Sequence, residues 1–316
     1  MIKVGVVLKS TGSLYLIKAE DGSLIKSKIK GRFRIKGIRS TNPVAVGDVV
    51  EYQFIEEDGF GVITGIKDRR NYLVRKATKL SKSSHIIAAN VDQAFLIITT
   101  ARPKTLAGFI DRFLVTTEAY HIPVNIVFNK IDMYLDDEKA YKQAQEWTSI
   151  YEDAGYPCFH VSALTGQNID QLQEKMKGKV NLLSGHSGVG KSHIINKIQP
   201  GLDLRTGEIS DFHKMGKHTT TFAEMHELDF GGYIIDTPGI KGFGLYDFVK
   251  EEVSQRFPEM RALMNDCQFN NCMHTHEPKC AVKEAVENGD IAWSRYQNYL
   301  AILEDDYFDI EEWENK

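Results

Sequence analysis

Long apolar runs are missing from this chain. Across its 316 residues no hydrophobic stretch approaches the roughly 20 residues that a membrane-crossing helix needs, so a helical membrane protein is excluded. Nor does the segment 1–36 read as a secretion leader, because charge interrupts every apolar stretch; a cytoplasmic location is expected. Cysteine is scarce: Cys158 stands alone and Cys267, Cys272 and Cys280 are bunched. An odd cluster in a chain without an export signal argues against disulfides. An excess of one charge is missing too, the net value being −4, which by itself speaks against a nucleic-acid binder. Aromatic residues such as Tyr15, Phe33, Tyr52 and Phe60 are sparse in the first part of the chain, so stacking of individual bases is not supported there.

What is present is unevenly placed. Before residue 40 the basic residues Lys3, Lys9, Lys18, Lys26, Lys28, Lys30, Arg32, Arg34, Lys36 and Arg39 are opposed only by Glu20 and Asp21, whereas the end of the chain, from Glu304 to Glu314, is acidic and reads as a solvated helix end. Short strand-like runs with turn signals between them fill residues 1–68, which predicts a small five-stranded all-β barrel of the OB kind. Between positions 26 and 36 every even residue is basic. Period two makes a ribbon with one apolar and one basic face, and Lys26, Lys28, Lys30, Arg32, Arg34 and Lys36 then form a stripe suited to a phosphate backbone. Residues 67–82 read as a polar, basic linker.

Beyond the linker, strands and helices alternate as in a parallel sheet: an apolar strand over 94–100, a helix over 106–120, a strand over 124–128, a helix capped by Asp136, and a strand over 157–161 that takes in Cys158 as a buried thiol. A short helix over 168–176 leads to the strand 180–184. There the sequence GHSGVGKS, Gly185 to Ser192, follows the strand and opens a helix with Ile194, Ile195 and Ile198 inward. This is the pattern of a phosphate-binding loop. Its glycines let successive N–H groups face oxygen atoms, Lys191 reaches the β/γ-phosphates, and Ser192 offers a hydroxyl to magnesium. The candidate nucleotide contacts here are Ser184, Gly185, His186, Ser187, Gly188, Val189, Gly190, Lys191 and Ser192.

Two loops supply the base site. Asn129, Lys130 and Asp132 of NKID stand at a strand's carboxyl end, where ligands bind in open α/β sheets. The Asp132 carboxylate can accept from both N1–H and the 2-amino group of guanine, and adenine offers no such pair. Asn129 can bond the base edge and the neighbouring loop, and the Lys130 stem can lie over the ring. Ser162 and Ala163, in Ser-Ala-Leu, support the base from a second loop. Downstream, Asp236 to Gly239 spell DTPG: the carboxylate can hold magnesium through water and the Gly239 amide can sense a γ-phosphate. Thr220 is the favoured magnesium threonine, with Thr219 and Thr221 left open by spacing.

The motif order is base recognition, base support, phosphate loop, threonine, DTPG, whereas ordinary small GTPases begin with the phosphate loop. In this circularly permuted order the chain resembles the ribosome small subunit-dependent GTPase A family over essentially its whole length. The resemblance implies an OB-like RNA-binding domain (1–68), a permuted α/β GTPase domain (69–245) and a mainly α zinc domain (246–316). It also implies an assembly factor that contacts the RNA of the small ribosomal subunit late in maturation and hydrolyses GTP faster when bound to it. A monomer with no membrane partner is expected. A binding module that merely gates association by its nucleotide is the other reading, and GTP turnover with and without subunits separates the two.

Near the C-terminus, Cys267, Cys272, His274 and Cys280 have the spacing C-x4-C-x-H-x5-C. Three thiolates and an imidazole make a closed tetrahedral set for one structural zinc; His276 is the rival ligand, and the resemblance favours His274. Helices are expected over 248–264 and 281–304, with Trp293 among the packing residues. For catalysis, Ile240 stands where ordinary small GTPases carry a water-orienting glutamine. His218, in the threonine loop, is the candidate to position the water, and the resemblance points to it as well.

Overall fold

The computed structural model describes residues 1–29, 43–76, 84–202, 223–236 and 250–304. Seven strands open the chain: β1 (Lys3–Ser10), β2 (Tyr15–Ala19), β3 (Leu24–Ile29), β4 (Val49–Ile55), β5 (Phe60–Ile66), β6 (Tyr72–Lys76) and β7 (Ser84–Ala89). Strands and helices then alternate through β8 (Gln93–Ile98), α1 (Ala107–Ala119), β9 (Val124–Phe128), α2 (Glu138–Asp153), β10 (Cys158–His160), α3 (Ile169–Met176), β11 (Val180–Ser184) and α4 (Lys191–Ile198). The remaining elements are β12 (Glu224–Glu227), β13 (Tyr233–Asp236), α5 (Pro258–Arg261), α6 (Ala281–Asn288) and α7 (Trp293–Leu303). The chain divides into two compact units: Met1–Phe95 with Asp170–Ser184 and Lys191–Ile240, and Leu96–Ile169 with Gly185–Gly190 and Lys241–Lys316.

In the first unit, β1 to β5 close into a barrel. The order is β1-β2-β3-β5-β4, and β4 pairs back onto β1; only the β3–β5 contact is parallel. Alternation explains the closure: Val7, Tyr15, Ile17, Val50, Tyr52 and Ile63 face one core, each such side chain gaining about 1.5–3 kcal/mol from burial. On β3 the odd positions 25, 27 and 29 turn inward while Lys26 and Lys28 are exposed. The barrel also continues into a sheet. β12 pairs with β1 through Lys9 and Glu224 and with β13, and β13 runs parallel to β11.

The predicted linker is not without structure: β6 and β7 form an antiparallel pair. Its first arginines are held in ion pairs. Arg69 is paired to the fully buried Asp48 through Nε and Nη2, at 2.6 and 2.7 Å, and Arg70 to Asp92 at 2.7 Å.

In the second unit β10 pairs in parallel with β9, which lies next to β8. The cap of α2 is Asp137, one residue past the expected one, its carboxylate accepting from Ala140 N at 2.9 Å. The buried face of α2 is Ala140, Ala144, Trp147 and Tyr151, which at spacings of four, three and four residues fall on one side of a helix. Residues 248–264 do not make one helix. Of the described part, short turns at Lys250–Glu252 and Ser254–Arg256 precede the one-turn α5, which begins at Pro258. The stretch 281–304 breaks into α6 and α7 at Gly289, whose φ of 83° ends α6 as a left-handed cap. Trp293, expected in the core, is 58% exposed. Cys158 is half-buried in β10, and burial pushes its thiol up to about 12.

A buried ion cluster ties α7 to α1. Arg295 donates to Asp111 at 2.6 Å and to both oxygens of Glu259, at 2.7 and 3.1 Å, under the rings of Phe257, Tyr151 and Tyr156. Burial opposes the guanidinium's charge, but the carboxylates of Asp111 and Glu259 outweigh it and hold Arg295 protonated.

Candidate nucleotide and metal sites

The second unit brings three loops together. β9 ends at Phe128, so Asn129 emerges buried at its carboxyl end. Its side-chain amide donates to Val189 O at 2.8 Å and its Oδ1 accepts from Ala163 N at 3.1 Å. One side chain thus joins the NKID, phosphate and Ser-Ala loops, and both ends of its amide are taken by backbone. Lys130, at a left-handed φ of 68°, donates from Nζ to Arg102 O at 2.6 Å and to Gly188 O at 2.7 Å; its ammonium therefore braces the phosphate loop. Burial holds this ammonium below the ordinary lysine range. Asp132 accepts from Ser162 Oγ at 2.5 Å, and that hydroxyl in turn accepts from Thr165 N at 3.1 Å. The carboxylate is steadied by the loop that carries Ala163.

The phosphate loop leaves β11 at Ser184 and runs to Gly190. Gly190 has φ +95°, and a Cβ there would collide with the Asn129 amide, so the residue must be glycine both for its backbone and for the loop tie. Val189 is fully buried, and Ser187 and Gly188 are exposed. His186 sits between Thr105 and the backbone of Ser187, at 2.7 and 3.1 Å, with its ring edge-on to Phe109. Sequence reasoning missed Thr105 and Phe109, which no motif marks.

In the first unit Lys191 and Ser192 open α4, and Ser184 is buried at the end of β11. The backbone of Asp236 ends β13 beside Leu183, so two strand ends of the kind that carry phosphate and magnesium contacts lie side by side. Thr220, Gly239 and His218 lie outside the described residues, as do Lys30, Arg32, Arg34 and Lys36. The described part of the basic stripe is Lys26 and Lys28, the latter with Nζ 4.8 Å from the Phe60 ring centre.

Cys267, Cys272, His274 and Cys280 converge, all buried, with their ligand atoms within 4.8 Å of one another. The Sγ atoms of Cys267 and Cys280 are 3.9 Å apart, and His274 turns Nδ1 toward them at 3.6 and 3.2 Å. A tetrahedral ion with bonds to sulfur of about 2.3 Å spaces its sulfurs by about 3.8 Å, so the donor set fits a metal ion. His276 is exposed and stands outside the group. Burial lowers the His274 imidazole below its ordinary range and pushes Cys272 up to about 12, a cost that a cation would reverse. The loop is held from two sides. Tyr296 and Tyr299 of α7 donate to His274 O and Met273 O, each at 2.6 Å. Glu277 accepts from Met273 N and Thr275 N at 2.9 Å, and although burial works to raise this carboxyl, those N–H bonds bring it down to about 2.

Known proteins resemble this chain along its length. Residues 4–63 match the RsgA N-terminal domain and residues 66–246 the RsgA GTPase. A protein of Christiangramia forsetii named small ribosomal subunit biogenesis GTPase RsgA is 54% identical over 302 residues, 95% of each chain. The protein of that name from Phocaeicola vulgatus is 55% identical over 95% of this chain and 96% of its own. Among solved structures, YjeQ from Thermotoga maritima superposes with a TM-score of 0.77 at 36% identity, covering 96% of this chain and 98% of its own. YloQ, described as a circularly permuted GTPase, gives 0.75 at 29% identity over 100% and 97%. No helix among the described residues is long and apolar enough to cross a membrane. With a closed five-stranded barrel, permuted nucleotide motifs and a Cys/His cluster in its helical C-terminal region, the chain belongs to the RsgA GTPase family and is a GTP-hydrolysing enzyme.

Proposed function

We propose that this GTPase acts in late maturation of the small ribosomal subunit, working as a monomer in the cytoplasm, binding the subunit's RNA and turning over GTP faster when bound. The observation that carries the nucleotide part is the Asn129 tie between the phosphate loop and the Ser-Ala loop, set beside an Asp132 carboxylate steadied by Ser162. The partner is suggested by relatives named for small ribosomal subunit biogenesis over nearly the whole chain. The working division is a barrel (1–68) for RNA, a GTPase domain (69–245) and a helical metal domain (246–316).

Guanine is selected by Asp132, which accepts from N1–H and the 2-amino group; an adenine ring offers no such pair of donors, at a cost of about 1–3 kcal/mol or more. The backbone from Ser184 to Ser192, with the N-terminus of α4, takes the phosphates, and Lys191 adds the point charge. Ser192 and Thr220 would hold magnesium, with Asp236 acting through water. When bound, that ion neutralises charge developing on the phosphate oxygens. The Gly239 amide senses the γ-phosphate. Ile240 has no polar atom for the attacking water, so His218 orients it once the subunit closes the threonine loop. Cys267, Cys272, His274 and Cys280 would hold one zinc, whose role would be structural. Lys26, Lys28, Lys30, Arg32, Arg34 and Lys36 meet the RNA backbone.

Competition against labelled GDP tests the base site. Unlabelled GDP should displace the label while a hundredfold excess of ADP does not; ADP matching GDP in potency would overturn the assignment of Asp132.

A further inference from the structure

Three consecutive carbonyls on the outer side of the phosphate loop are each met by a side-chain donor. Gly188 O takes the Lys130 ammonium at 2.7 Å and Val189 O the Asn129 amide at 2.8 Å. The third, Ser187 O, lies 3.1 Å from Nδ1 of His186, a residue of the loop itself. In a trans peptide the C=O of one residue and the N–H of the next point opposite ways. A donor on the carbonyls of Ser187, Gly188 and Val189 therefore aims the N–H groups of Gly188, Val189 and Gly190 to the other side, where phosphate oxygens are received.

The bond from His186 depends on where its proton sits, and the surroundings decide that. Thr105 Oγ1 accepts from Thr99 N at 3.0 Å, and its hydroxyl proton is available for His186 Nε2 at 2.7 Å. In the neutral ring with the proton on Nδ1, both contacts are good: Thr105 donates to Nε2, and Nδ1–H donates to Ser187 O. In the other tautomer a bare Nδ1 would face a carbonyl oxygen, lone pair against lone pair. The ring plane is set by Phe109, edge-on at 84° with centroids 5.7 Å apart.

We propose that His186 is a positioning residue of the phosphate loop, donating from Nδ1 to Ser187 O so that the Gly188 N–H is preset toward a nucleotide phosphate, with Thr105 fixing the tautomer. This rests on the reading that the loop receives the phosphates of GTP.

The test uses the full chain. Titration with fluorescent GDP and GTP should show His186→Ala binding about threefold to tenfold more weakly, the scale of one lost hydrogen bond. His186→Asn, whose Nδ2 can take the place of Nδ1, should recover most of the loss, and His186→Leu should not. A long-range nitrogen–proton spectrum of histidine-labelled protein, above the imidazole titration range and assigned with His186→Asn, should show the proton on Nδ1; Thr105→Val should weaken that preference. Full affinity in His186→Ala, or a proton on Nε2 in the wild type, overturns the proposal. Lys191→Ala is the control for the reading beneath it: if the wild type binds no guanine nucleotide, or Lys191→Ala binds as well as wild type, the phosphate-loop assignment itself falls.

Discussion

The loops around Asn129 and the cluster around His274 are both built to receive a ligand, and they are held in opposite ways. In the first, the protein satisfies itself: the amide of Asn129, the ammonium of Lys130 and the hydroxyl of Ser162 each close on a neighbouring loop. These bonds fix the shape of the loops from within, which would lower the ordering cost of binding a nucleotide there. In the second, four buried donors face one another, and burial raises Cys272 and Cys280. Here the protein supplies the surroundings, from Tyr296, Tyr299 and Glu277, and a cation would complete the centre. One site is preorganised; the other calls for an ion.

That contrast can be broken by removing each centre in turn. Stripping the metal with a strong chelator should have the largest effect, because structural zinc binding contributes on the order of 10 kcal/mol to folding in small domains. Near-ultraviolet circular dichroism from Tyr296 and Tyr299 should collapse, with GDP affinity within about twofold of the untreated protein, the two sites lacking a shared ligand. An unchanged spectrum in metal-free protein would show that the cluster closes without an ion.

Cutting the lattice at Asn129→Ala should come next. Two buried backbone groups, Val189 O and Ala163 N, lose their partners at about 1–3 kcal/mol each, so calorimetric titration should find GDP binding weaker by about a hundredfold. The thermal transition of the Cys/His region should not move. Wild-type affinity in this variant would mean that the loops are not preset.

The two regions also differed in how far they could be read from sequence. The strand, loop and helix around GHSGVGKS were legible, because the apolar run 180–184, the glycines and the isoleucines of α4 are local signals. The Cys/His cluster was legible up to the choice between His274 and His276, which spacing leaves open; His274 is the one that converges with the cysteines. What holds each site was not legible. Thr105 and Phe109 reach His186 from about 80 positions away in sequence, and Arg295 meets Asp111 across a separation of 184; such contacts are tertiary and leave no periodic trace. The pairing of β6 with β7 was hidden because β6, YLVRK, lies in a basic, polar stretch. Trp293 was misplaced because an apolar residue at a helix start need not face the core.

The smallest expected effect lies on the barrel. Reversing Lys26 and Lys28 to glutamate should weaken binding to small subunits and flatten its salt dependence, by roughly 0.7–0.9 in log–log slope for each phosphate no longer neutralised. An unchanged slope would make this face a solvated one and confine the comparison to the two ligand sites.

The central claim is that the preset nucleotide site works on the small ribosomal subunit, and GTP turnover by the full chain, alone and with purified small subunits, measures it most directly. Turnover should be slow alone, as Ile240 implies, and rise strongly with subunits, a rise that His218→Ala should lower by roughly a hundredfold, the scale of a lost acid–base group. Turnover that small subunits leave unchanged would contradict it.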